Sequence, residues 1–356
     1  MKPIYEQGIL GAGRRPFEHA RDLVAFAPSM VRLGAALPLW RTVCRHFEHP
    51  RVREAFSFHS LFIGGDPFRV PAIYGALVYL QFLDEVWYAR GGVYAIVEAM
   101  ARGIDVRCGD GVQRIEHRQG AVTGVVLEGG ERIAADVVVS NADVLRTHEL
   151  VDRRAPRRRL TPTMSCYLLY LGTDRTFDAL LHHTLLVGGG YRRFISDVTR
   201  GGRIAGTFST YVHAPATAIP GSLRVLLPVP NQRRRRIDWD TESDRLRDRL
   251  VEDLETTFGL EGLDAATVVE HRMTPDDFAR DLGAAWGNAF AVEPTLQQSA
   301  WLRPPNRDKG LRGLYFVGGG THPGAGIPGV LLGAEVTAGL IARDHPAAGR
   351  RRHAPR

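Results

Sequence analysis

Near the end of the chain six glycines fall within twelve residues: Gly318, Gly319, Gly320, Gly324, Gly326 and Gly329, with Pro323 and Pro328 between them. The apolar run 314–317 precedes this stretch and reads as a buried strand bounded by glycines. The segment 330–342 follows it, apolar around most of its circumference with Glu335 as its one charge, and reads as a helix lodged in a core. Glycines let a backbone approach a ligand closely and supply positive φ. Pro328 suits a helix start, where the first amides lack partners within the helix. A strand, a glycine-rich turn and a helix N-terminus form a site for phosphate or another electron-rich group. The alternative is a tight structural crossover.

The chain around this turn has 356 residues, which favours more than one domain. No run of eighteen apolar residues is present, so no membrane-spanning helix is expected. The first residues lack the apolar core of a signal peptide, and Cys44, Cys108 and Cys166 form no CxxC pair. A cytoplasmic protein with reduced thiols and no metal-ligand set is expected. The net charge of +7 is nearly all arginine, since Lys2 and Lys309 are the only lysines. Arginines cluster at 153–159, 233–236 and 350–352. Solvated loops account for them first, an acidic lipid surface second. No nucleic-acid-binding pattern accompanies them, so no nucleic-acid partner is expected. HExxH, Walker and GxSxG motifs are also missing, which disfavours metal hydrolysis, P-loop phosphoryl transfer and α/β-hydrolase chemistry.

Residues 1–50 read as helices over 18–26 and 29–37, broken by Pro28 and Pro38. The stretch 31–40, flanked by Arg32, Arg41 and Arg45, suits an interfacial helix and a buried one equally. A helix over 94–102, a strand over 104–108, a β-meander over 113–133 and an apolar strand before Ser140-Asn141-Ala142-Asp143 follow. Strands are expected at 164–171, 184–187, 207–213 and 223–229, forming a mixed sheet beside a pocket. Thr241 is the expected N-cap of a helix with the stripe Leu246, Leu250, Val251, Leu254 and Phe258. The last residues, from Pro346, read as a disordered basic tail.

The wording THPGAGIPG at 321–329 resembles the C-terminal FAD-contacting segment of the bacterial and fungal phytoene desaturase family. Gly64-Gly65-Asp66-Pro67-Phe68 and Ala89-Arg90-Gly91-Gly92 resemble family segments more often written GGNPF and PRGG, so Asp66 and Ala89 are departures. The segments beginning at Met273, Trp286 and Glu293 also match in order and spacing. The resemblance implies an α/β fold: an incomplete Rossmann-like FAD-binding domain combined with an α+β substrate domain. Its parts are a helical substrate- or membrane-contacting segment at 1–90, FAD-binding portions at 91–145 and 301–346, a substrate domain at 146–300 and the tail at 347–356.

By the same resemblance FAD is the cofactor and phytoene, or a similar isoprenoid carotenoid precursor, the substrate, with the protein peripheral on the inner face of the plasma membrane. Gly318, Gly319, Gly320, Thr321, Gly324, Gly326, Ile327, Pro328, Gly329 and Val330 are the implied cofactor contacts, and Val112 lies against the adenine. Desaturation removes a hydride and a neighbouring proton, and no side chain accepts a hydride. His322, Asp66 and His59 are the candidate bases, although a lone His59 among aromatics also reads as a core residue. An apolar tunnel is expected from Phe56, Phe58, Phe62, Tyr167 and Tyr211, which read equally as core.

The resemblance covers about the last three-quarters of a family member. The opening GxGxxG turn is not among the residues it covers, and Gly8–Gly13 is a poor substitute with Pro16 behind it and no apolar strand before it. Two readings follow: a desaturase whose first segment sits on a separate N-terminal polypeptide or further upstream, or a flavin-free module that binds carotenoid or lipid. Isomerase, ketolase and saturase relatives share similar FAD segments. Without partner strands, the segments 104–108 and 137–139 would expose apolar surface.

Overall fold

The computed structural model describes residues 1–83, 85–153, 160–215 and 219–346. The expected tail and most of the arginines at 153–159 and 350–352 lie outside them. The strands, in chain order, are β1 (Val112–Arg118), β2 (Ala121–Leu127), β3 (Arg132–Ala134), β4 (Val138–Ser140), β5 (Ser165–Thr173), β6 (His183–Val187), β7 (Ser209–His213), β8 (Ser222–Val229), β9 (Thr267–Met273) and β10 (Leu314–Phe316). The helices that matter below are α1 (Ala20–Arg32), α2 (Leu39–His46), α3 (Pro50–Phe58), α4 (Ala76–Leu83), α5 (Tyr94–Ala101), α6 (Val144–Leu150), α7 (Trp239–Thr256) and α8 (Ile327–Asp344).

The largest sheet has the order β6-β7-β8-β5-β9. All its pairings are antiparallel, where a mixed sheet was the expectation. Period-two alternation puts Tyr167, Leu169 and Leu171 of β5 on one face, opposite Leu227, Val225 and Leu223 of β8. Helix α7 lies over this face with Leu246, Leu250 and Leu254, four residues apart, all fully buried. Each such leucine contributes about 2–3 kcal/mol through burial. Helix α7 begins two residues before the expected N-cap: the capping position is Asp238, and the Thr241 hydroxyl donates to its Oδ2 at 2.9 Å. Strand β9 was not expected, because Thr267–Met273 is polar and its Val268 and Val269 are exposed.

The second region is smaller. β1-β2-β3 form an antiparallel meander, and β10 pairs in parallel with β4 (Leu314 with Val138, Phe316 with Ser140). Main-chain bonds from Val122 to Arg312 (2.9 Å) and from Val138 to Gly313 (2.8 Å) tie the two together. Ile115, Val122, Val144, Leu150, Leu314 and Phe316 form their shared core. Residues 104–108 are not a strand: the segment is irregular, with Ile104 65% and Val106 59% exposed. A strand needs a hydrogen-bonding partner, and none lies beside it among the described residues. The open edge of β4 has the same character, with Val139 45% exposed. Helix α5 buries no side chain.

In the N-terminal part α1 runs through Pro28, which does not end it as expected. A short helix, Tyr5–Ala12, packs beside α1 and α4. It contains most of the stretch Gly8–Gly13, which is therefore no strand-to-helix turn.

Candidate active site

The glycine-rich stretch leaves β10 and enters α8, as its sequence requires. Gly318 has φ +97°, and a Cβ there would lie 2.3 Å from Asn141 Oδ1. A Cβ on Gly329 would lie 2.6 Å from the Gly324 carbonyl oxygen. Neither position admits a side chain without displacing its neighbour. Helix α8 starts from Gly326 with Pro in its first turn and no side chain capping it, and Ile327 is 55% exposed. Its first amides are therefore open to a ligand with electron-rich atoms.

Buried polar groups hold the loop from behind. The Asn306 amide donates to the His322 carbonyl (3.0 Å) and to the Thr337 hydroxyl (3.2 Å). Thr321 is fully buried, and its hydroxyl donates to the Gly318 carbonyl at 3.1 Å. Arg303 is the less expected member. Its guanidinium, only 4% exposed, donates to the carbonyls of Thr321 (2.8 Å), Gly319 (2.6 Å), Val292 (3.2 Å) and Gln298 (3.3 Å). No carboxylate faces it among the described residues, and burial pulls its pKa down. A guanidinium can hold four carbonyls in a fixed fork where lysine cannot. Sequence reasoning missed Arg303 because it lies in a segment without glycine or histidine.

In front of the loop is an apolar cavity of about 250 Å³, with Ile9, Phe26, Met30, Ile73, Leu77 and His322 in its walls. His322 is 7% exposed and packs against Phe17, with ring centres 5.0 Å apart and planes tilted by 60°. Its Nε2 lies 3.3 Å from the Ala12 carbonyl, and its Nδ1 has no partner. Burial, reinforced by the Arg303 charge, lowers its pKa to about 4, so the ring is neutral at pH 7. A wider open cleft of about 1110 Å³ between Phe17, Asp136 and Tyr315 contains no residue of the glycine loop.

The structure brings His322 to the loop and separates it from the other two candidate bases. Asp66 is fully buried and lines neither the loop nor the cavity. One of its oxygens accepts the Phe68 amide at 2.9 Å, and the other lies 3.6 Å from Arg200. Burial, its largest influence, raises the pKa of Asp66. His59 is held by the Ala55 carbonyl at 3.1 Å and packs edge-on to Phe62, and burial lowers its pKa. Val112 opens β1 opposite Leu127 and is 36% exposed. None of the five expected tunnel aromatics lines the cavity. Phe58 and Tyr167 are core, Tyr167 stacking on Trp239, while Phe56 packs on Phe47 and Phe62 on Tyr211. The cavity walls come instead from the N-terminal helices, whose small and aliphatic residues look like ordinary core in sequence.

Residues 5–342 match the model of the flavin-containing amine oxidoreductase family. The lycopene-forming phytoene desaturase of Pantoea ananas is 38% identical over 363 aligned positions, covering 96% of this chain and 74% of that protein. The chain belongs to the phytoene desaturases. The neurosporene-forming phytoene desaturase of Cereibacter sphaeroides is 35% identical over 97% of the chain and 71% of its own length. Among solved structures, cyclohexylamine oxidase from Brevibacterium oxydans has a TM-score of 0.53 at 16% identity, over 96% of this chain and 73% of that one. A cofactor-binding variant of putrescine oxidase has a TM-score of 0.56 at 14% identity, over 98% and 74%. These likenesses agree with a Rossmann-like FAD domain joined to a substrate domain. FAD is the family's cofactor, and its reaction is FAD-dependent carotenoid desaturation. The glycine cradle and the uncapped start of α8 fit one side of such a cofactor.

Proposed function

We propose that this phytoene desaturase dehydrogenates phytoene or a similar isoprenoid precursor, placing the scissile C–H bonds in the apolar cavity against the loop at 322–326. The observation that carries this reading is the cavity's position: its apolar wall runs directly into His322, Pro323, Gly324, Ala325 and Gly326. Bound FAD supplies the hydride acceptor. The loop residues Gly318, Gly319, Gly320, Gly324 and Gly326, with Ile327, Pro328, Gly329 and Val330 at the start of α8, are assigned to hold its ring; Thr321, expected among them, is fully buried behind the loop and braces it instead. Val112 is assigned to the adenine side. The positive end of α8 and the buried Arg303 cation favour negative charge at that ring.

Of the three candidate bases, His322 suits the neighbouring proton. Its ring is neutral at pH 7 with a buried, unpartnered Nδ1, and the residue lines the cavity, whereas Asp66 and His59 are engaged elsewhere. Aliphatic walls exclude water and bind a substrate that has no polar handle. Val31 lines the same cavity and is 71% exposed on α1, between the exposed Arg21 and Arg32. That rim suits contact with an acidic membrane surface, from which an apolar substrate can enter. Among the described residues no helix is long and apolar enough to cross a membrane. The exposed apolar residues of α5 and the open edge of β4 favour a further strand–turn–helix segment in the working enzyme, on a separate polypeptide or otherwise.

The test is incubation of the FAD-loaded protein with phytoene in liposomes, followed by chromatography of the extracted pigment. Conjugated products that form with the native chain, and at least tenfold more slowly with His322→Ala, support the reading. Phytoene bound but returned unchanged by flavin-loaded protein favours the lipid-binding alternative.

A further inference from the structure

Three imidazoles converge at one edge of the large sheet, away from the loop and cavity. His183 opens β6 and His213 closes β7, and the two are register partners. His182 directly precedes β6, and its carbonyl accepts the Ala214 amide at 3.0 Å. The hairpin ladder thus fixes all three backbones. One ring nitrogen of each histidine lies within 4.8 Å of the others. The Nε2 atoms of His182 and His213 are 3.1 Å apart. Two nitrogens on one tetrahedral zinc, each about 2.0–2.1 Å from the metal, stand about 3.3 Å from one another. The His182–His213 pair is close to that spacing, and a His183 nitrogen lies within 4.8 Å of both.

The surroundings suit a cation bound through nitrogen. The Tyr211 hydroxyl lies 2.6 Å from His183 Nδ1 and steadies that ring, as outer partners of metal-bound histidines do. Tyr88 covers the cluster, with its ring 4.5 Å from His182 and 5.5 Å from His213. His213 is 7% exposed, His182 half-buried and His183 exposed, which leaves one side open to solvent. Arg224 is the cross-strand neighbour of His213, and its guanidinium lies 5.1 Å from the Tyr170 ring. Without a metal, two imidazole nitrogens at hydrogen-bond distance share one proton at best.

We propose that His182, His183 and His213 bind one divalent transition cation, Zn²⁺ or a close congener, with water in the fourth position, clasping the β6–β7 edge. Three nitrogen donors with no carboxylate among them select zinc, nickel, copper or cobalt over calcium or magnesium. The site takes no part in hydride or proton removal.

The test uses the untagged full chain, stripped with chelator, mixed with excess ZnCl₂ and passed through gel filtration. The expected result is one equivalent of zinc by mass spectrometry, and an unfolding temperature raised by a few degrees when zinc exceeds its dissociation constant a hundredfold. Substituting CoCl₂ should give a visible ligand-field band. His183→Asn alters only an exposed ring, so it should fold normally and bind at least tenfold more weakly, while His49→Asn, at an exposed histidine elsewhere, should bind as the native chain does. No retained zinc, or equal retention by the native chain and His183→Asn, overturns the proposal.

Discussion

The five-stranded sheet and the β4–β10 pair handle their apolar surface in opposite ways. The large sheet covers its inner face with α7 and Tyr191–Ser196, and Leu169, Ile195, Leu246 and Leu250 have no measurable exposure. By contrast, Val139 of β4 is 45% exposed, and in the chain before β1 Tyr94, Val97 and Met100 of α5 are 69%, 52% and 58% exposed, with Ile104 and Val106 similarly open. The first region completes its own core. The second buries β10 and braces the glycine loop, but leaves the outer edge of β4 uncovered among the described residues. Stability is therefore expected to be concentrated in the large sheet, with the β4–β10 side gaining most from whatever binds it.

This contrast can be broken at either end. Leu250→Ala, in the sealed core, should lower unfolding free energy by about 3 kcal/mol in urea titrations, since a cavity would open under α7. A loss below 1 kcal/mol would mean the core is not close-packed there. Next in size is a pH effect from His322. Its folded pKa of about 4 lies below the unfolded value of 6.5, so the unfolded chain binds the extra proton between these values. Stability from this group is present above pH 6.5 and is lost as pH falls toward 4, by roughly 2 kcal/mol between pH 7 and 5. His322→Phe should flatten that slope in denaturation series across the same window. An unchanged slope would show that the imidazole is not buried as described.

Gly318→Ala should cost roughly 1–3 kcal/mol, through its positive φ and its approach to Asn141. It should weaken flavin retention at least tenfold while the circular dichroism of the large sheet persists. Smallest of all, Met100→Ser on α5 should change stability by less than about 0.5 kcal/mol, because little burial is lost. A large loss there would mean that α5 is packed, and the contrast would fail.

Much of this was legible in the sequence because it rests on local rules. The glycines and Pro328 marked a strand-to-helix turn, and β5 through β8 were marked by their richness in Leu, Val and Tyr. The four-residue spacing of Leu246, Leu250 and Leu254 marked α7. What escaped depends on partners distant in the chain. Residues 104–108 have strand composition, but a strand exists only beside another. Arg303 looks like a surface arginine until the carbonyls of residues 292, 298, 319 and 321 surround it. His182, His183 and His213 become neighbours only through the β6–β7 register. Phe58 and Tyr167 show the converse error: aromatic composition cannot tell a tunnel wall from a core, whereas the cavity is walled by helices at the other end of the sequence.

The loop from Gly318 to Gly329 and the start of α8 are proposed to hold FAD. The direct measurement is an absorbance spectrum of the purified chain after incubation with excess FAD and removal of free cofactor by gel filtration. The account predicts a retained flavin band for the native chain that is lost in Gly318→Ala. A colourless native chain with intact circular dichroism, or a band equally strong in the variant, would contradict it.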